Sequence, residues 1–130
     1  MIAMRALILV CALAALAGCA TAPSPEVKTA ALDPLVCVNK AQCDLYWKRA
    51  KIWIVNNSAW RIQQADDVVI TTFGPTESSA NLAYSVMMEP SSGDSARIRI
   101  KAICANAFGC EMHPMAAAAA FKSYVRSGAS

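Results

Sequence analysis

Leu82-Ala83-Tyr84-Ser85-Val86-Met87-Met88-Glu89 and Ala96-Arg97-Ile98-Arg99-Ile100-Lys101-Ala102 flank the turn-forming run Pro90-Ser91-Ser92-Gly93-Asp94-Ser95. Leu82, Tyr84, Val86 and Met88 alternate with smaller or polar neighbours, and Ala96, Ile98, Ile100 and Ala102 alternate with three cations. A period of two is the signature of a half-buried strand, so the whole stretch reads as a β-hairpin. Keeping both apolar sets on one face places Glu89 opposite Arg97, Met87 opposite Arg99 and Ser85 opposite Lys101.

Upstream, Trp60-Arg61-Ile62-Gln63-Gln64 alternates and Val68-Val69-Ile70-Thr71-Thr72-Phe73 is a β-branched run. With Asp66-Asp67 as the turn, these two form a second expected hairpin, ended by Gly74-Pro75. Helices are expected on either side. Asn39-Lys40-Ala41-Gln42 fits a capping box in which Gln42 reaches back to the Asn39 amide. Cys43, Trp47, Ala50, Ile54 and Asn57 then follow a helical step up to the stop at Asn56-Asn57-Ser58. Near the C-terminus, Pro114 precedes an alanine-rich run ended by Ser127-Gly128, with Ala117, Ala120, Phe121, Tyr124 and Val125 as the packing stripe. Lys122 and Arg126 suit the negative end of that helix. The expected class is α+β: a four-stranded antiparallel sheet with an N-terminal and a C-terminal helix packed on one face, in the order α-β-β-β-β-α.

Before the domain, a single cation at Arg5 leads an apolar run of about a dozen residues, too short to span ~30 Å of hydrocarbon comfortably. Small residues follow it, and the whole reads as a removable secretory signal. Leu16-Ala17-Gly18-Cys19 resembles the lipobox of bacterial lipoproteins, and the chain is similar to small proteobacterial envelope lipoproteins. The resemblance implies cleavage after residue 18, acylation of Cys19 and, with Ala20 in place of aspartate, attachment to the outer membrane. Two or three acyl chains at ~0.8 kcal/mol per buried methylene hold a protein where one would let it leave. Residues 1–18 are then the signal, 19–31 a Pro- and Ser-containing tether, and 32–130 one small domain.

Outside Cys11 in the signal and Cys19, the cysteines are Cys37, Cys43, Cys104 and Cys110. An even set in an oxidising compartment reads as two disulfides, and the repeated spacing favours the two local bridges over the other pairings. A four-thiolate zinc site would use shorter knuckles.

The balance of charge and motifs narrows the function. The net charge of +3 falls by one when Arg5 leaves, far from the basic excess of a nucleic-acid binder. His113 is the only histidine, and neither a nucleophile elbow nor a zincin motif occurs. Asp66-Asp67 sits in a turn and neither cysteine pair has the C-x-x-C spacing, so the chain reads as no enzyme and needs no cofactor.

Three features remain as binding candidates. Arg97, Arg99 and Lys101 form a cationic row at about 6.6 Å intervals, suited to lipopolysaccharide, cell-wall polymers or an envelope protein, or simply to a solvated sheet face. Trp60, which starts a strand, is the tryptophan best placed for a sugar platform, whereas Trp47 and Trp53 read as core. Met112, His113 and Met115 offer soft donors to Cu(I), against a packed Met-His-Pro turn. The leading expectation is a lipid-anchored, non-enzymatic envelope protein binding a macromolecule or an anionic envelope component. A small-ligand or Cu(I)-handling protein and a periplasmic enzyme inhibitor are the alternatives.

Overall fold

The structure, a computed structural model, describes residues 22–129. The signal, Cys19 and the first residues of the expected tether lie outside the described residues. The elements run α1 (Pro25–Leu32), β1 (Leu35–Cys37), α2 (Lys40–Asn57), β2 (Ile62–Ala65), β3 (Val69–Thr72), β4 (Ala83–Pro90), β5 (Ala96–Ile103) and α3 (Pro114–Ser127). The class is α+β, with the helices on the sheet. The sheet has five antiparallel strands rather than four, in the order β1-β5-β4-β3-β2.

The extra strand is β1, whose Leu35, Val36 and Cys37 face Ile98, Arg97 and Ala96 of β5. Because β1 and β2 lie on opposite edges, α2 must cross the sheet between them. Four strand spacings of ~4.8 Å come to about 19 Å, which 18 helical residues at ~1.5 Å each cover with a turn to spare.

The hairpin of β4 and β5 has the register its alternation demands: Glu89 against Arg97, Met87 against Arg99, Ser85 against Lys101. The earlier hairpin forms too, with a bulge between Ile62 and Gln64. Its turn is held by Asp66, which accepts from the backbone N–H of Val68 and of Val69 at 2.9 Å each. Trp47 of α2 donates its indole N–H to the Asp66 carbonyl at 2.8 Å, pinning the turn to the helix.

At the start of α2, Asn39 caps as expected, accepting from the Gln42 N–H at 2.8 Å. Gln42 does not return to the Asn39 amide. It accepts instead from the Val38 N–H, also at 2.8 Å, because the Cys37–Cys43 disulfide draws the incoming strand close to the first helical turn. The second bridge joins Cys104 to Cys110, so both disulfides are the local ones.

The tether reading needs a correction, since Pro25–Leu32 is helical. Ser24 caps it by accepting from the Val27 N–H, and Pro25 occupies the first turn, where its missing N–H costs nothing. This helix packs along α3 and buries Ala31.

The core is where α2 and α3 meet the inward face of the sheet. Leu35, Ile54, Ile70, Val86, Ile98, Phe121 and Val125 are fully buried there. Trp53 meets Tyr84 and Phe121 edge-on, with centroids 5.4 and 5.5 Å away, the arrangement that aromatic quadrupoles favour. On α3 the buried set is Ala117, Phe121, Lys122 and Val125, and Tyr124 packs against the core partly buried, as expected; Ala120 is exposed instead, and Lys122 joins the buried set.

Candidate functional site

Strand alternation splits β5 cleanly. Ala96 and Ile98 go under the helices, while Arg97, Arg99 and Lys101 stand exposed on the opposite face. Among the described residues no helix covers that face, because α2 and α3 share the other one. The three cations are therefore assembled as the spacing predicts.

To the cross-strand neighbours expected from the alternation, the structure adds Val36 of β1 and a diagonal ion pair. Arg97 stands between Glu89 of β4 and Val36 of β1, and Arg99 stands opposite Met87 of β4. Glu89 is level with Arg97 but pairs diagonally with Arg99, whose Nη1 lies 3.1 Å from its Oε1. That ion pair is exposed at both ends, so its contribution to stability is small. Arg97 and Lys101 have no carboxylate partner among the described residues. Val36 and Met87, each nearly half exposed, give the row apolar flanks. The face thus presents two unneutralised cations and one paired one on a rigid, partly apolar platform.

No protein-family model, no curated protein and no solved structure matches the chain.

The other candidates fall elsewhere. Trp60 is half-buried, its indole N–H donates to the Asn81 carbonyl at 3.3 Å, and its ring lies against Gly74. A methyl group on Gly74 would come within 2.5 Å of that ring, and φ of +72° already favours glycine there. Trp60 is thus held as a clamp on the loop after β3, away from the cationic row.

His113 caps α3, accepting from the Met115 N–H at its Nδ1 across 3.1 Å. Met112 and His113 are exposed and Met115 is partly buried at the first turn. The cap occupies one imidazole nitrogen and leaves Nε2 as the ring's open donor site. Among the described residues no group of three or more His, Cys, Asp and Glu side chains is arranged to hold a metal ion. No helix among them is long and apolar enough to cross a membrane.

Lys122 is the polar residue that sequence reasoning missed. Its ammonium donates to the carbonyls of Ala31 at 2.6 Å and Asp33 at 2.7 Å, closing the C-terminal end of α1. Burial, and then the neighbouring Arg126, hold its pKa below the ordinary lysine value.

Proposed function

We propose that this is a lipid-anchored, non-enzymatic cell-envelope protein that uses the open face of its sheet to bind an anionic envelope component. The observation that supports the reading best is the outward row of Arg97, Arg99 and Lys101, with Arg97 and Lys101 lacking carboxylate partners among the described residues. Guanidinium and ammonium groups on a rigid strand meet phosphates or carboxylates without first ordering the protein, which lowers the entropic cost of binding. The anchor rests on Leu16-Ala17-Gly18-Cys19 and its upstream signal. On this reading the domain is held at the outer membrane, facing either the periplasm or the surface, where lipopolysaccharide and cell-wall polymers supply the anion. The protein needs no cofactor in this role and binds no nucleic acid.

Binding is tested with residues 19–130 carrying Cys19→Ser and produced without the signal, a chain with neither an apolar leader nor an acyl group to insert by itself, sedimented with lipopolysaccharide micelles at low and high salt. We expect association that weakens as salt shortens the screening length and that disappears in the Arg97→Ala/Arg99→Ala/Lys101→Ala variant. Association that ignores both salt and the triple substitution would overturn the assignment. The anchor is tested separately by the intact mass of the wild-type protein: a lipid-bearing start at Cys19 is expected, and an uncleaved, unmodified chain rejects it.

A further inference from the structure

A cavity of about 200 Å³ opens at the other end of the core, where the end of α2, the start of β4 and the segment after Cys110 converge. Its walls include Trp53, Tyr84 and Met112, with Asn57, Asn81 and Glu111 supplying polar atoms. The Glu111 N–H donates to the Ala80 carbonyl at 2.9 Å, and the Cys104–Cys110 bridge braces the loop just before it. These contacts tie the backbone that carries Glu111 to the backbone just before Asn81.

Two buried aromatic residues leave their polar atoms unused here. Trp53 is 4% and Tyr84 5% exposed. Trp47 and Trp60 each donate the indole N–H to a carbonyl, but Trp53 has no hydrogen-bond partner for its own among the described residues. The Tyr84 hydroxyl likewise has none; the Tyr84 amide is bonded to Thr72, its phenol to nothing. Among the described residues no buried side-chain nitrogen or oxygen is sealed from solvent without a partner, so these two atoms keep solvent access, and both residues line this cavity. Burial raises the pKa of the phenol, which keeps it a neutral donor. Buried aromatic N–H and O–H groups ordinarily find partners.

We propose that this cavity binds a small neutral ligand rich in hydroxyl groups, about the size of one sugar ring. The size follows from a volume below the ~300 Å³ lower bound of sites for drug-sized molecules. The chemistry follows from the donor and acceptor set. Trp53 and Tyr84 offer donors, whereas the Glu111 carboxylate accepts, and Asn57 keeps its side-chain oxygen open because its amide N–H is spent on the Trp53 carbonyl at 2.9 Å. A cation would leave both aromatic donors unpaired, and an anion would meet Glu111. Hydroxyl groups, which donate and accept at once, satisfy both sides.

The test is heteronuclear NMR of the isotope-labelled full chain in detergent micelles, titrated with N-acetylglucosamine. The three tryptophans give three indole N–H signals. We expect only that of Trp53 to move, saturably, with Kd on the order of 1 mM. Tyr84→Phe, which keeps the ring, and Asn81→Ala, at an exposed loop position, should each weaken binding about five-fold, as expected for losing one hydrogen bond. The proposal is overturned if no indole signal moves, if all three move together, if neither variant changes the titration, or if tetramethylammonium or acetate shifts the Trp53 signal in place of the sugar.

Discussion

The ammonium of Lys122, on α3, lies 2.6 Å from the carbonyl oxygen of Ala31 in the last turn of α1. The C-terminal carbonyls of a helix have no partners within it, and their partial negative charge attracts a cation. A lysine from another helix here does what a residue of α1 itself would usually do. Arg126 extends the lock by donating to the Asp33 carboxylate and the Pro34 carbonyl, both at 3.0 Å.

Lys122→Met should keep most of the aliphatic packing while leaving the carbonyls of Ala31 and of the cap residue Asp33 without their donor. The expected loss is about 1–3 kcal/mol, the range for an orphaned buried polar group. Chemical denaturation measures that loss. Hydrogen exchange should show the extra opening confined to Pro25–Leu32 and its junction with β1, and uniform opening of the whole domain would contradict this role.

Each disulfide closes a short loop of six residues' separation, so removing either by paired Cys→Ala substitution should cost about 2 kcal/mol by the loop-entropy estimate. Their reducibility should differ. Cys37 and Cys43 are buried, whereas Cys104 and Cys110 are only partly so. Mild reductant followed by alkylation and peptide mapping should label Cys104 and Cys110 first.

Asp66 carries the pH dependence that is simplest to isolate. Hydrogen bonds from the Val68 N–H, the Gln64 amide and the Val69 N–H hold its pKa below the usual 3.8. The ionised form is thus favoured on folding, and its contribution is present above pH 3.8 and is lost as pH falls through the lowered folded value. In Asp66→Asn the side-chain oxygen can still accept but has no charge to lose. Thermal melts should show wild type ahead at neutral pH and the gap closing in acid.

Gly74→Ala should destabilise by about 1–2 kcal/mol from the left-handed backbone alone, and by more because the new methyl group displaces the Trp60 ring. Tryptophan emission should shift to the red as that ring is exposed. Glu89→Gln makes the opposite kind of prediction. Stability should change by less than about 1 kcal/mol, while releasing Arg99 should strengthen lipopolysaccharide binding in the sedimentation assay.

The hairpin of β4 and β5 was legible because eight-residue strands with strict alternation admit one register that buries both apolar faces. The cationic row came with it. Leu35–Cys37 is too short to show a period, and its pairing to β5 depends on residues sixty positions away. Helix α1 was obscured by Pro23 and Pro25, read as linker residues although Ser24-Pro25 is also a helix start. Lys122 falls on the buried stripe of α3, but lysine at such a position is ordinarily solvated, so its type argued against its place. The cavity could not be read at all. Trp53, the Asn81–Tyr84 stretch and Glu111 come from three separate segments, and only the folded chain brings them together.

Under the proposed acylation of Cys19, helix α1 also sets how far the domain can stray from its anchor. A free leash of thirteen residues would reach about 45 Å, but with Pro25 onwards docked on α3, six residue steps span no more than about 20 Å. The proposed anchoring would then hold the domain at headgroup level, where its ligand would have to come to the bilayer.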